Sequence, residues 1–302
     1  MKYCMMNKVN SEKKWKSISG LMFREDFVTH LCISLLGLKS NNSSIFQIES
    51  NDNKLKQMIT SNDKSYLKYN LSKIITNIVD DMIIKGKAFL HVIYYLDDSN
   101  KVSGFDFKKI SYRYHFKGIK KTIFYFRTSH NNNLKNNNVK IYNKDLIEFK
   151  ISDIGLRVRD FNKIEKSLSQ LGLDKLPIQK LKELNLDIEN YTKQEKLYLY
   201  KSTKRIPWNG RYNGNDYITE PYQLYRLANF KIMQLKFLKY IVDKINGKIN
   251  EIGKEYEFEG KIIYNTIGIE DIKDIIIKID SGEIQFEEAI DYLLCNKDYT
   301  KK

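Results

Sequence analysis

A change of hydrophobic period at one glycine constrains this chain most. Leu67, Leu71, Ile74, Ile75, Ile78 and Met82 recur three or four residues apart, a spacing that puts them on one face of a helix. Gly86 follows, the residue type best suited to the left-handed cap that ends a helix. Immediately after it, Ala88 to Leu96 is an apolar, β-rich run. Asp97 to Lys101 then supplies turn residues, and Val102 to Phe107 resumes as a strand. A helix leading directly into an antiparallel hairpin sets the expected fold class as α+β.

The flanking segments extend this pattern. Ser111 to Lys117 alternates Tyr112, Tyr114 and Phe116 with Arg113, His115 and Lys117, and Gly118 starts a turn into Lys121 to Thr128. The tract from Ser129 to Asn138 is nearly all Asn and reads as a loop; Val139 to Tyr142 and Leu146 to Ile151 return to strand character. An antiparallel sheet of five or six strands is predicted. Upstream, helical periodicity runs from Phe23 to Leu36 and stops at Gly37, followed by a short strand at Ile45 to Ile48.

Downstream, Asp160 to about Leu199 is helical with a break near Gly172 and Pro177. The best-marked helix starts at Pro221 behind a Thr219 cap. Leu224, Ala228, Leu235, Leu238, Val242, Ile245 and Ile249 form its apolar stripe, and Gly247 frays or ends it. A hairpin over Tyr256 to Tyr264 and a closing helical pair around Ser281 and Gly282 complete the chain. The predicted organisation is a frayed segment at 1–20, a sheet domain with N-terminal helices at 21–155, and a mainly helical domain at 156–302 with a Gly/Asn-rich loop at 206–218.

Charge narrows the function classes. The 302 residues carry a formal net charge of +15, with 42% hydrophobic and 29% charged residues, so a folded basic protein is expected. The excess is segregated. Residues 101–150 hold twelve Lys and Arg against three Asp and Glu, residues 201–250 ten against three, and residues 251–302 seven against thirteen. Basic segments of this kind attract phosphate backbones, and an acidic end can meet the basic region of another copy. No apolar stretch is long enough to span a bilayer, and Met1 to Ser19 lacks the apolar core of a signal peptide. Cys4, Cys32 and Cys295 are too far apart for a zinc or disulfide framework and read as small hydrophobes in a reducing compartment.

Catalytic motifs are sparse. Tyr95-Leu96-Asp97-Asp98 resembles the Tyr-x-Asp-Asp of reverse transcriptases, whose carboxylates hold metal ions. That family continues into an apolar strand, whereas Ser99, Asn100 and Lys101 follow here. The only upstream acid at a comparable separation, Asp26, falls in a helical stretch. Asp80 and Asp81, adjacent on a helix, point about 100° apart and read as a solvated face. The four histidines lie on separate elements, His91 as a core residue. No catalytic residue, metal site or cofactor is predicted.

The basic segments instead suggest nucleic-acid contact. Arg113, His115 and Lys117 share a strand face, Lys120, Lys121 and Arg127 lie near, and eight aromatic residues fall among positions 105–126. Cations and rings together suit a single-strand-binding sheet, although alternation in any half-buried sheet also puts rings inward and cations outward; phosphate contact is expected over base stacking. Lys201, Lys204, Arg205 and Arg211 surround Pro207 and Trp208, either as a backbone grip or with Trp208 anchoring the loop to the core.

The order of elements resembles tailed-phage portal proteins of the siphophage type. The helix from Leu67 to Lys85, Gly86, the strand Lys87-Ala88-Phe89-Leu90-His91-Val92-Ile93 and the return strand Lys101-Val102-Ser103-Gly104-Phe105 are similar to a portal wing segment. Asp145-Leu146-Ile147-Glu148-Phe149-Lys150 is similar to the strand before the portal stem, and Ile275 through Ser281-Gly282 to Glu287-Glu288-Ala289 to the portal ending. These matches cover less than half of the chain. The resemblance implies a homo-oligomeric ring at a capsid vertex, DNA packaged through its centre without catalysis by the ring, and Arg226, Lys231, Lys236 and Lys239 on a channel or intersubunit face. It implies a protein of the virion or the cytoplasm, neither secreted nor transmembrane. Two other readings follow from the residues alone. One is a monomeric or dimeric basic nucleic-acid-binding replication or regulatory factor; the other is a carboxylate-dependent polymerase or nuclease using Asp97 and Asp98.

Overall fold

A computed structural model describes residues 7–8, 18–34, 45–50, 54–60, 70–125, 138–173, 196–210 and 221–293. In chain order the strands are β1 (Asn7–Lys8), β2 (Phe46–Glu49), β3 (Lys87–Leu96), β4 (Val102–Lys109), β5 (Tyr114–Lys117), β6 (Lys121–Tyr125), β7 (Asn138–Tyr142), β8 (Leu146–Lys150) and β9 (Lys261–Tyr264). The helices are α1 (Ile18–Arg24), α2 (Leu31–Ser34), α3 (Lys54–Thr60), α4 (Ser72–Lys85), α5 (Val158–Leu173), α6 (Pro221–Tyr256), α7 (Ile269–Asp280) and α8 (Phe286–Leu293). The class is α+β, with a long helix in the C-terminal half. No helix among the described residues is long and apolar enough to cross a membrane.

The chain divides into two compact units. One comprises Met1–Lys13, Phe46–Val158 and Lys239–Tyr264, the other Lys14–Ile45, Arg159–Leu238 and Asn265–Lys302. Both the N-terminal helical segment and the long helix are therefore distributed differently from a single division at residue 155.

In the first unit, α4 buries Ile75, Ile78, Val79, Met82 and Ile83 and ends at Gly86, whose φ is +79° and whose N–H donates to the Met82 carbonyl at 2.9 Å. A Cβ there would lie 2.9 Å from Val158 Cγ2, so both conformation and space select glycine. Asp81 is buried rather than solvated, its Oδ1 3.1 Å from both Lys85 and Lys109. A carboxylate between a helix lysine and a β4 lysine fastens α4 to the sheet, which the helical phase alone does not reveal.

The expected five- or six-stranded sheet is divided. Among the described residues, β4-β3-β8 form one antiparallel sheet, β1-β5-β6-β7 another, and β2-β9 a third. The break falls after β4: Ile110 N–H still donates to Phe89 O at 3.0 Å, then Tyr112 turns inward and its hydroxyl donates to Lys87 O at 3.2 Å. Phe89 of β3, Ile110, Tyr112, Phe124 of β6 and Ile141 of β7 form one buried cluster, so the two larger sheets share a core across which the chain cannot stay in a single ladder.

The long helix passes through Gly247 to Tyr256, because Ile245, Ile249 and Ile252 continue its buried stripe. No hairpin forms over 256–264. Lys261–Tyr264 pairs with β2 instead, and Asn246 holds that strand to the helix, donating to Ile262 O and accepting from Ile262 N–H, both at 2.8 Å.

In the second unit, a five-residue π turn at Glu25–Thr29 closes with His30 N–H donating to Glu25 O at 2.9 Å. Phe27 packs against Phe161 of α5 and Phe230 and Phe237 of α6, with centroids 5.7, 5.5 and 5.3 Å away. The Gly37 stop, the Thr219 cap and the Pro177 break lie outside the described residues, as do Cys4 and Cys295, while Cys32 is buried.

Candidate nucleic-acid interface

The β5–β6 hairpin presents cations on a turn clamped from a distance. Gly118 N–H donates to Lys121 O at 3.0 Å. Asn143, just after β7, donates its side-chain amide to Gly118 O at 3.0 Å and Ile119 O at 2.9 Å, and accepts from Thr122 Oγ1 at 2.7 Å. This clamp holds the turn, so Lys120 and Lys121 project from a defined backbone; both are exposed. Lys121 Nζ sits 4.1 Å from the centroid of Tyr142, and its hydrogen bond and charge hold the Tyr142 hydroxyl below its ordinary pKa. Arg113 lies 5.2 Å from the Tyr114 centroid. Lys117 Nζ is 2.8 Å from Glu148 Oε2.

His115 does not share an exposed face with Arg113 and Lys117. It is buried, pairs with Phe124 across the ladder, and lies 4.9 Å from Phe89 and 5.2 Å from Tyr112 by ring centroids. The imidazole serves as a core ring, and Arg113 precedes the strand, so simple alternation from 111 to 117 misassigns the face. Burial first, then the charges of Lys87 and Lys117, keep the His115 pKa below its ordinary value against the pull of Glu148.

The sign of the pH effect follows. Unfolded His115 titrates near 6.5 and binds protons that the folded protein excludes. Its contribution is complete above that value and is lost as pH falls through the lower folded value. We expect His115→Phe to flatten the decline of the urea midpoint between about pH 7 and 5; an unchanged slope would assign that decline to other groups.

The remaining candidate residues divide sharply. Arg226 is buried, with Nη2 donating to Thr203 Oγ1 at 2.6 Å and Trp208 O at 2.9 Å. Lys231 is buried as well. Both are covered within the fold, because the first half of α6 buries more than its apolar stripe. Arg205 pairs with buried Asp160 at 2.8 Å. Lys204, Lys236 and Lys239 are exposed, whereas Arg127 and Arg211 lie outside the described residues. Trp208 anchors its loop: it is buried, donates from Nε1 to Asp26 Oδ2 at 2.9 Å, and meets Phe23 edge-on.

Asp97 is occupied by its own turn. Its Oδ1 accepts from Ser99 N–H, Ser99 Oγ and Lys101 N–H at 2.9, 2.7 and 2.8 Å, and these hydrogen bonds, that of the Ser99 side chain first, lower its pKa. His91 on β3 is half-buried rather than a core residue, and burial lowers its pKa.

Sequence reasoning missed the groove beside β8, an edge strand among the described residues. About 660 Å³ in volume, it is lined by Glu148 and Lys150 on one side and by Tyr240, Lys244 and Lys248 of α6 on the other. Tyr240 hydroxyl accepts from Lys150 N–H at 3.0 Å and donates to Asp153 Oδ2 at 2.7 Å. Lys248 donates to Lys144 O and to Glu251. The only sequence signal was the recurrence of lysine at 144, 150, 244 and 248. No protein-family model matches the chain, and a comparison with curated proteins finds no match.

Proposed function

We propose that the chain is a structural, non-catalytic, portal-like ring component that contacts DNA through its phosphates. The observation that carries the phosphate part is the β5–β6 hairpin, where Lys121 lies over Tyr142 and Lys120 projects next to it at the turn, Arg113 lies over Tyr114 at the opposite end, and Tyr112 and Phe124 are buried. Cations rather than bare ring faces are then what the hairpin offers, which favours backbone contact over stacking. The ring part is supported by the order α4, Gly86, β3, turn and β4, with β8 and the α7–α8 pair, at the residues that carry the portal resemblance. Residues 269–293 hold eight acids against two lysines, a charge opposite to that of the hairpin, which suits a repeating head-to-tail contact between copies.

Mass photometry and negative-stain imaging of the purified protein test the assembly: a large closed ring is expected. A monomer or dimer that binds DNA with steep salt dependence would replace this reading with that of a basic replication or regulatory factor. In either state, Lys120→Gln with Lys121→Gln should reduce the log–log salt slope of duplex binding by about 2, equally on unrelated sequences. An unchanged slope would remove the hairpin from the interface.

A further inference from the structure

Three lysines converge on one carboxylate beside the β8 groove. Lys117 Nζ lies 2.8 Å and Lys150 Nζ 3.7 Å from Glu148 Oε2, and Lys87 Nζ lies 3.3 Å from Oε1. Glu148 is well covered, its side chain 14% exposed, while those of Lys87, Lys117 and Lys150 are 36%, 56% and 42% exposed. Burial alone would raise the Glu148 pKa; the Lys117 hydrogen bond and the charges of Lys87, Lys117 and Lys150 outweigh it and keep the group ionised.

The charges do not balance. One carboxylate cannot neutralise three ammonium groups, and Lys117 by itself suffices to tie β5 to β8. Each ammonium has three N–H donors, so contact with Glu148 leaves donors for the solvent side. Glu148 offsets only one of the three positive charges, and the repulsion left among them is relieved further by a second anion. Glu148 and Lys150 also open onto the groove, which gives the cluster a concave approach.

We propose that Lys87, Lys117 and Lys150 form an oxyanion site for a phosphate group, with Glu148 as the built-in competitor that gathers the three ammoniums when no ligand is present. The proposal rests on the DNA-contacting reading for the source of that phosphate. A free polyphosphate offers the same chemistry, and the test separates the two.

The test measures binding of a short DNA duplex by fluorescence anisotropy over a series of salt concentrations, and of tripolyphosphate by calorimetry at low salt, for the full chain and its Glu148→Gln and Lys150→Gln variants. Removing the competitor should tighten duplex binding by about three- to tenfold. Lys150→Gln should weaken it by a similar factor and lower the salt slope by about 0.9. If Glu148→Gln keeps the parent unfolding midpoint and binds neither ligand more tightly, Glu148 is only a tie and the proposal falls. Should Glu148→Gln fail to fold, Lys150→Gln decides, and unchanged affinity for both ligands overturns the site. If the parent ignores the duplex while the two variants shift tripolyphosphate binding in opposite directions, the DNA reading fails and the phosphate site stands. Loss of duplex binding in the Lys120 and Lys121 variant with none of these shifts has the reverse meaning.

Discussion

Phe27→Ala is expected to lower the unfolding free energy by about 3–5 kcal/mol, measured as a fall in the urea midpoint. Phe27 is fully buried, with parallel Phe23 at 5.9 Å and Phe161, Phe230 and Phe237 at 5.7, 5.5 and 5.3 Å. Those rings come from α1, α5 and α6, so no single side-chain motion can fill the space left behind. Lost transfer energy and a residual cavity therefore add. Phe27→Leu keeps most of the volume and should cost about 1.5 kcal/mol or less. Equal losses for the two would mean that ring packing is not what holds this core.

Arg226→Met is expected to cost about 2–4 kcal/mol. The residue is 3% exposed, its Cζ lies 4.2 Å from the Tyr200 centroid, and Nε donates to Asn209 Oδ1 at 3.2 Å in addition to the two Nη2 bonds. Methionine fills much of the volume but takes donors from Trp208 O and Asn209 Oδ1 at a site that water does not reach freely. Arg226→Lys should recover little, because one ammonium cannot reproduce a planar fork stacked on a ring. Lys236→Met, exposed on the same helix, should stay within about 0.5 kcal/mol. If Arg226→Met unfolds at the parent midpoint and instead loses DNA affinity, Arg226 belongs to the binding surface after all.

The contrast between Arg226 and Lys236 shows where sequence reading stops. The apolar stripe from Leu224 to Ile249 fixed the helix because burial on one face leaves a 3.6-residue period; α4 was legible for the same reason, and β3 as the apolar, β-rich run where that period stops. The stripe rule assumes that the opposite face meets water. From 221 to 238 only part of it does: Gln223, Arg226, Lys231 and Gln234 are buried along with the hydrophobes, while Tyr222, Tyr225 and Lys236 are exposed, and only the tertiary surroundings reveal the difference. Strand existence was likewise readable, but the division into sheets was not, since Tyr112 turns the chain through contacts with residues 87 and 89. The cationic character of the hairpin could be read from composition. The Glu148 cluster could not, because it joins positions 87, 117, 148 and 150, and neither could the Asn143 clamp, which reaches back across more than twenty residues.

Lys120 and Lys121 carry the same charge on the same clamped turn, yet they begin from different rotamer freedom. Lys121 is already parked over Tyr142, whereas Lys120 is exposed and meets no ring or carboxylate among the described residues. A free lysine surrenders up to about 2 kcal/mol of side-chain entropy when it is fixed. Part of that cost is met within the fold at Lys121 and all of it remains at Lys120, so two neighbouring ammoniums divide the enthalpy and entropy of any shared anion unequally.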